Sequence, residues 1–315
     1  MSAKTLSIGT RGSPLALAQA HEVRDLLLAE AAKESVDLIV DVVILKTTGD
    51  KIQDRPLSEV GGKGLFTKEL ERALFDGDID LAVHSMKDVA TVLPEGLEIA
   101  TILEREDPRD ALISEKYGSL DEMPAGAVIG SASLRRQAMI LSKRPDLKVT
   151  LFRGNVQTRL GKLRDGLADA TLLALAGLNR LGQPEIATQV LAPEAMLPAV
   201  AQGAVGIEIR SDDEEARAWS QKLNHPETAI VVKAERALLK GLDGSCRTPI
   251  AGYAVLDGGE LILSAWAALP DGTQAQSSRI VGAPEEAEEL GLNLARSMRD
   301  QLGQDFFDQI EAIGA

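Results

Sequence analysis

The sequence has few of the residues that disulfides and metal sites require. It contains one cysteine, Cys246, and three histidines, His21, His84 and His225, which are far apart in the chain. A single cysteine cannot form an intramolecular disulfide, which is consistent with a reducing compartment. Because the histidines have no ligand spacing, we also expect no metal ion.

A long apolar run and an N-terminal leader are also missing. No stretch is apolar enough to cross a bilayer, and the start MSAKTLSIGT lacks the basic and apolar regions of a secretory signal. The net charge of −14 disfavours general binding to nucleic acid or anionic membranes. We therefore expect a cytoplasmic protein that binds neither of them.

Positive charge is concentrated in one segment. Residues 131–164 contain nine Lys or Arg residues and one acidic residue, Asp146, so the segment carries +8 and the remainder −22. This contrast predicts a polyanionic ligand. The alternative is that several of these side chains solvate exposed helix faces.

Short apolar runs alternate with helical patterns, which predicts two α/β lobes with a hinge and a cleft at the carboxyl ends of the strands. Ser13 should cap the first helix, with Pro14 at its first position. The expected strands cover 6–10, 38–46, 79–84, 128–130, 149–152, 171–175 and 205–209, and the small α+β C-terminal domain adds 250–256 and 261–267 before an acidic helix from about 284. The predicted domains are 1–104 with 200–222, then 105–199, and 223–315.

Asp88 is the candidate catalytic carboxylate. It lies just beyond the strand that ends at His84, in the loop where an α/β sheet presents ligand-binding groups. The alternative is that Asp88 caps the next helix or pairs with Lys87.

Hydroxyls, backbone amides and guanidinium groups converge where helices begin after two strands of the second lobe, and such helix starts bind anions. Ordinary surface ion pairs are the alternative explanation for any one of these arginines. The residues placed in this way are Ser131, Ser133, Arg135, Arg136, Arg153 and Arg159.

Cys246 lies in GSCRT, next to Arg247. An exposed thiol beside positive charge is more reactive than a buried one. The alternative is that Cys246 is a small buried hydrophobe.

Six motifs follow one another along the chain, and they are TRGSPLALAQ (10–19), GGKGLFTKELE (61–71), VHSMKDV (83–89), GSASLRRQA (130–138), RGNVQTRL (153–160) and AGLNRLG (176–182). They match the motifs of the porphobilinogen deaminase family in the same order, and the chain resembles that family from its first strand to its third domain. The resemblance implies two lobes like those of periplasmic binding proteins, with a hinge and a cleft, plus a small C-terminal domain.

The activity that the resemblance implies is that of a monomeric transferase in porphyrin and heme biosynthesis. Such an enzyme joins four porphobilinogen molecules head to tail, with release of ammonia, to give hydroxymethylbilane. Its cofactor is a dipyrromethane bound through a thioether to a loop cysteine, which matches Cys246. Ala90 and the pair after Cys246 depart from the family's common pattern, and neither change alters Asp88 or Cys246.

The resemblance also implies roles for individual residues. Each pyrrole carries an acetate and a propionate, for which arginines are suited, and a carboxylate should stabilise cationic species formed during the reaction. Asp88 matches the catalytic residue. Cofactor binding is implied for Ser85, Lys87, Asp88, Ser131, Ser133, Arg135, Arg136 and Cys246. Substrate binding is implied for Arg11, Arg153, Arg159, Arg180 and Gln202, with Lys63 and Phe66 in a mobile loop.

Two other functions are consistent with parts of the pattern. A two-lobed protein that binds or senses small anions would have the same lobes, but it would need neither Asp88 nor a cofactor-bearing Cys246. A hydrolase with a cysteine nucleophile would need a histidine and an acid placed by motif, and the sequence shows none.

Overall fold

The computed structural model describes residues 4–51, 66–244 and 248–314. The described chain divides into two compact units, one made of residues 4–51, 66–106 and 204–229 and the other of residues 107–203, 230–244 and 248–314. No helix in these described ranges is both long and apolar enough to cross a membrane.

Strands and helices alternate along most of the chain. The strands are β1 (Lys4–Arg11), β2 (Leu38–Leu45), β3 (Leu81–Ser85), β4 (Leu97–Ile102), β5 (Asp110–Ile113), β6 (Val128–Gly130), β7 (Lys148–Thr150), β8 (Ala170–Ala174), β9 (Gln189–Val190), β10 (Val205–Arg210), β11 (Ile250–Asp257), β12 (Glu260–Ala267) and β13 (Gln276–Gly282). The helices are α1 (Pro14–Lys33), α2 (Thr48–Lys51), α3 (Lys68–Asp76), α4 (Leu134–Lys143), α5 (Val156–Arg164), α6 (Leu175–Arg180), α7 (Glu214–Ser220), α8 (Pro226–Gly241), α9 (Ala287–Leu302) and α10 (Gln304–Gly314).

The first unit contains a five-stranded sheet in the order β2-β1-β3-β10-β4. β1 is parallel to β2 and β3, whereas β10 is antiparallel to β3 and β4. Ser13 caps α1 by accepting a hydrogen bond from the Ala16 amide, with Pro14 at the first helical position, as predicted. Val23 and Leu27 of α1 are fully buried, so this helix covers the apolar sheet that presents Asp88 beyond β3.

The second unit contains a five-stranded sheet in the order β7-β6-β8-β5-β9, with the same sequence of parallel and antiparallel neighbours as the first sheet. It also contains the antiparallel sheet β11-β12-β13. Leu238 of α8, Leu263 of β12 and Met298 of α9 lie in one buried cluster, so helices pack on this small sheet.

The predicted fold class, two α/β lobes and a small α+β C-terminal domain, is confirmed by these three sheets. The strand expected over 149–152 is shorter, because Phe152 leaves β7 and its ring packs so closely on Gly130 that a Cβ there would lie 2.3 Å from it. Five elements were not predicted, namely α2, β9, α7, β13 and α10. The GGKG motif at 61–64 lies outside the described residues, and so do Lys63 and Cys246.

Candidate functional site

A pocket in the first unit opens where β1 and β3 end. Arg11 is the last residue of β1, Ser85 the last residue of β3, and Asp88 follows in a short 3₁₀ helix. The pocket is also lined by Phe66, which precedes α3 and was expected from the sequence, and by Gln19 of α1, which was not. The lining therefore combines cationic, anionic, hydrogen-bonding and aromatic groups at the carboxyl ends of parallel strands, where α/β sheets bind ligands.

The turn that carries Asp88 is anchored by Met86. The Met86 side chain is 1% exposed, and its amide donates to the Ala204 carbonyl just before β10. A Cβ on Gly206 would come within 2.1 Å of the Met86 sulfur, so β10 and this turn are in close contact. The helix-cap alternative for Asp88 is wrong, because the element that follows it is β4 and not a helix.

Asp88 forms a charge contact with Arg11. The distance from Arg11 Nη1 to Asp88 Oδ2 is 3.9 Å, which is too long for a hydrogen bond. The Arg11 guanidinium also lies 4.1 Å from the centroid of the Phe66 ring, in cation–π contact. Since the Asp88 side chain is 30% exposed, its carboxylate is accessible to a ligand in the pocket.

Ser85 and Gln19 form the polar wall of the pocket. The Gln19 amide nitrogen lies 2.9 Å from Ser85 Oγ, and Ser85 Oγ lies 3.1 Å from the Gln19 amide oxygen. Gln19 is buried and was not proposed from the sequence, although it ends the TRGSPLALAQ motif. Its partner is far away in the sequence, so no local pattern indicated the pairing.

A buried acid–imidazole cluster lies next to this pocket. His84 Nε2 and Glu208 Oε2 are 2.8 Å apart, and both side chains are almost fully buried. Burial raises the pKa of Glu71, the negative charge of Glu208 raises it further, and the hydrogen bond from Thr67 Oγ1 opposes both. His84 of β3 and Glu208 of β10 are therefore in direct contact, and Glu71 of α3 lies close enough for Glu208 to affect its pKa.

In the second unit, one buried carboxylate gathers three predicted site residues. Arg135 Nη2 donates to Asp110 Oδ2 at 2.7 Å, and Arg136 Nη2 donates to Asp110 Oδ1 at 2.7 Å. Gln202 Nε2 donates to Asp110 Oδ1 at 2.9 Å. Burial acts to raise the pKa of Asp110, but the charges of Arg135 and Arg136 outweigh it and hold that pKa well below its usual value. Asp110 was not proposed from the sequence.

The two serines proposed near these arginines form the start of α4. Ser133 is the N-cap, and its hydroxyl accepts from the Arg136 amide at 3.4 Å. Ser131 Oγ in turn accepts from the Ser133 amide at 3.1 Å. The helix start therefore has the hydroxyl and amide groups that the sequence predicted, with both hydroxyls engaged in local structure.

The remaining predicted arginines are also held by backbone carbonyls or buried. Arg159 Nε donates to the Gly154 carbonyl, and Arg180 Nη1 donates to the Gly203 carbonyl, each at 3.0 Å. Arg153 is 6% exposed. The second unit therefore holds six of the predicted ligand-binding side chains in defined positions, and they are Arg135, Arg136, Arg153, Arg159, Arg180 and Gln202.

Solved structures with distant similarity include a periplasmic substrate-binding protein of an ABC transporter from Coxiella burnetii and the methionine-binding protein MetQ. The first is 15% identical, with a TM-score of 0.43, and the match covers 71% of this chain and 94% of that protein. The second is 14% identical, with a TM-score of 0.43, and the match covers 70% and 89%.

Sequence relatives are much closer. The porphobilinogen deaminase of Nitrobacter winogradskyi is 53% identical over 301 residues, which is 96% of this chain and 95% of the relative. That of Paracoccus denitrificans is 52% identical, over 96% of both chains. The chloroplastic porphobilinogen deaminase of Oryza sativa is 53% identical over 97% of this chain and 86% of its own length.

Two family models together match most of the chain. The dipyrromethane cofactor-binding domain of porphobilinogen deaminase matches residues 6–218, and its C-terminal domain matches residues 229–300. These matches cover all six motifs that suggested the resemblance. The chain belongs to the porphobilinogen deaminase family.

Proposed function

We propose that Asp88 is the catalytic carboxylate of this chain, a hydroxymethylbilane synthase that polymerises porphobilinogen on a dipyrromethane cofactor. The observation that carries the assignment is the position of Asp88 in the pocket at the end of β3, beside Arg11. Membership of this transferase family favours a synthase over the alternative of a two-lobed binding or sensing protein.

A fixed carboxylate suits the chemistry of the substrate. When the carbon–nitrogen bond of porphobilinogen breaks, ammonia takes the electron pair and an azafulvene-like cation remains. Asp88 would stabilise that positive charge electrostatically. It would also accept, at a carboxylate oxygen, the proton that the attacked pyrrole carbon loses when the new carbon–carbon bond forms. The bound dipyrromethane supplies the terminal pyrrole carbon to which the next unit is joined.

The charged groups of the chain fit a dipyrromethane and its acidic substituents. In the second unit, the guanidinium groups of Arg135 and Arg136 share one carboxylate, that of Asp110, so one positive charge is in excess among these three residues. Arg135 Nε is also buried and has no hydrogen-bond partner among the described residues. Both features favour an acidic ligand. Arg153, with the other predicted arginines, would bind further acetate and propionate groups.

Residues of the first unit would bind the same kind of ligand. Arg11, Lys87 and Ser85 line the pocket and offer cationic and hydroxyl donors to carboxylates. Phe66 would hold the Arg11 guanidinium in place through their cation–π contact. We retain Lys63 as a substrate-binding residue on the basis of its motif.

We assign the covalent anchor of the cofactor to Cys246, the one cysteine in the sequence. Intact mass under denaturing conditions tests this, because denaturation removes whatever is not covalently bound. The native protein should exceed its sequence mass by one dipyrromethane unit, and Cys246→Ala should not. A native protein that gains no such mass on incubation with porphobilinogen or hydroxymethylbilane would contradict the assignment.

The setting proposed for this enzyme is that of a cytoplasmic monomer that binds neither nucleic acid nor membranes. The net charge of −14 and the low cysteine content support it. The three domains proposed for the chain are 1–104 with 200–222, 105–199, and 223–315.

Asp88→Asn tests the catalytic assignment, with Asp25→Asn as the matched control. Both variants remove one carboxylate charge from the first unit, and Asp25 lies on the exposed side of α1 beside Arg24. We expect Asp88→Asn to fold and to carry the cofactor mass, but to lose about 10²–10³-fold in kcat, the effect of removing one electrostatic stabiliser. Asp25→Asn should turn over normally. Near-normal turnover of Asp88→Asn would remove Asp88 from the mechanism.

A further inference from the structure

Asp110 is a fully buried carboxylate at the start of β5 that the catalytic scheme above does not use. Its two oxygens accept four hydrogen bonds, from Nη2 of Arg135, from Nε and Nη2 of Arg136 and from Nε2 of Gln202. The arginines come from the first turn of α4, whereas Gln202 precedes β10. The Asp110 carboxylate therefore connects β5 with two other parts of the chain, α4 and the segment before β10.

The partners of Asp110 are oriented at further points as well. Arg135 Nη1 donates to the Leu197 carbonyl at 2.7 Å, and Arg136 Nη1 donates to the Leu172 carbonyl at 2.7 Å. With one Nη on a carbonyl and the other on Asp110, each planar guanidinium is fixed in its rotation and in its tilt.

Two guanidinium groups side by side repel each other, and burial strengthens that repulsion because the local dielectric is low. Asp110 neutralises one of the two charges, so Arg135 and Arg136 can stay together and still retain one excess positive charge. Arg135 Nε, buried and without a hydrogen-bond partner in the described part of the chain, shows that the network leaves donor capacity unused.

We propose that Asp110 is a positioning residue for the known reaction: its carboxylate, itself held by Gln202, keeps Arg135 and Arg136 in the arrangement that binds the carboxylates of the pyrrole chain. Asp110 itself does not touch the ligand, since its two oxygens are occupied by the arginines and Gln202. This inference rests on the proposed function, in which Arg135 and Arg136 bind the acidic groups of the cofactor and substrate.

Asp110→Asn keeps the shape of the side chain and removes its charge. Asp169→Asn is the matched control, because Asp169 is also an ion-paired aspartate of the second unit, bound to Lys116 Nζ at 2.6 Å and to the Val128 amide. Three quantities are measured: the fraction of chains that carry the dipyrromethane mass, KM and kcat of the loaded fraction for porphobilinogen, and the thermal midpoint.

We expect Asp110→Asn to lower the loaded fraction and to raise KM about tenfold, since misplaced binding groups lose their alignment with the ligand. The kcat of the loaded fraction should change little, because Asp88 remains in place. Asp169→Asn should match the native protein in loading and in KM. If Asp110→Asn lowers only the thermal midpoint, with native loading and KM, then Asp110 is structural and the proposal is wrong.

A second variant covers the case in which Asp110→Asn does not fold. Asp110→Glu keeps the charge but moves the carboxylate by one methylene, so we expect a folded protein with a raised KM, and an unchanged KM would overturn the proposal. Arg135→Ala and Arg153→Ala distinguish a failure of the positioning role of Asp110 from a failure of the proposed anion-binding residues. If they raise KM while the Asp110 variants do not, only the positioning role fails. If they too leave loading and KM unchanged, the proposed anion-binding set fails with it.

Discussion

Replacing Gly206 by alanine should displace the turn that carries Asp88. Gly206 pairs with His84 of β3 on one side and with Ile102 of β4 on the other. Because β10 is hydrogen-bonded to strands on both sides, its backbone cannot move away from Met86. The new Cβ would lie 2.1 Å from the Met86 sulfur, whereas ordinary contacts begin near 3.4 Å. Because Met86 is buried, the required shift of about 1.3 Å falls on its side chain and on the 3₁₀ turn.

The expected cost follows from that overlap. Overpacking of this kind destabilises proteins by about 1–3 kcal/mol, and a misplacement of about 1 Å in an active site can lower the rate by about 10²-fold. We therefore expect Gly206→Ala to lower both the free energy of unfolding, measured with urea, and kcat/KM for porphobilinogen. Gly161→Ala is the control, because a Cβ there meets nothing within 4 Å, and it should stabilise helix α5 by about 0.4–1 kcal/mol with normal turnover.

The double variant Gly206→Ala with Met86→Val tests the cause. Valine removes the atom that the new Cβ would strike, so part of the lost kcat/KM should return, with a coupling energy of at least about 0.5 kcal/mol between the two sites. The reasoning would be refuted by a Gly206→Ala protein with native stability and native turnover, since Met86 would then move aside without affecting Asp88.

Three further predictions concern single contacts. Arg11→Lys keeps the charge beside Asp88 but loses most of the stacking on Phe66, so kcat/KM in steady-state assays should fall about tenfold; an unchanged value would remove the stacking from the mechanism. Ser133→Ala removes the N-cap of α4 and should cost about 1 kcal/mol in urea unfolding, and no change would show that the cap contributes little. The pKa of Glu71 is raised above its ordinary 4.5. The contribution of Glu71 to the free energy of unfolding is therefore complete below pH 4.5 and is lost as the pH rises through the folded-state pKa. Glu71→Gln should therefore lose less stability than the native protein between pH 4 and 7, and parallel pH profiles would contradict this.

Much of the fold could be predicted from local patterns. Ser13 followed by Pro14 marked the start of α1, and apolar runs marked β2 and β10 to within a few residues. β13 was missed because it is a half-exposed edge strand with only Ile280 and Val281 as large apolar residues. Strand signals of this kind are weak when one side of the strand faces solvent and the other packs loosely.

The candidate site was predicted in part, and the omissions have a common cause. Asp88, Arg135 and Arg136 were proposed because motifs and strand ends indicated them. Asp110 and Gln19 were not proposed, because each acquires its significance from a partner far away in the sequence. Gln19 shows no local periodicity or spacing that would indicate its pairing with the Ser85 hydroxyl.

The sequence by itself determined most of the strands and helices, the family, and the residue types that the chemistry needs, because those depend on local periodicity and on motifs of neighbouring residues. Only the tertiary structure decided that Asp110 holds the two arginines and that Gly206 bears on the turn of Asp88. Both are contacts between segments distant in the chain. Their energies come from burial, charge pairing and close packing, which exist only once the sheets have formed.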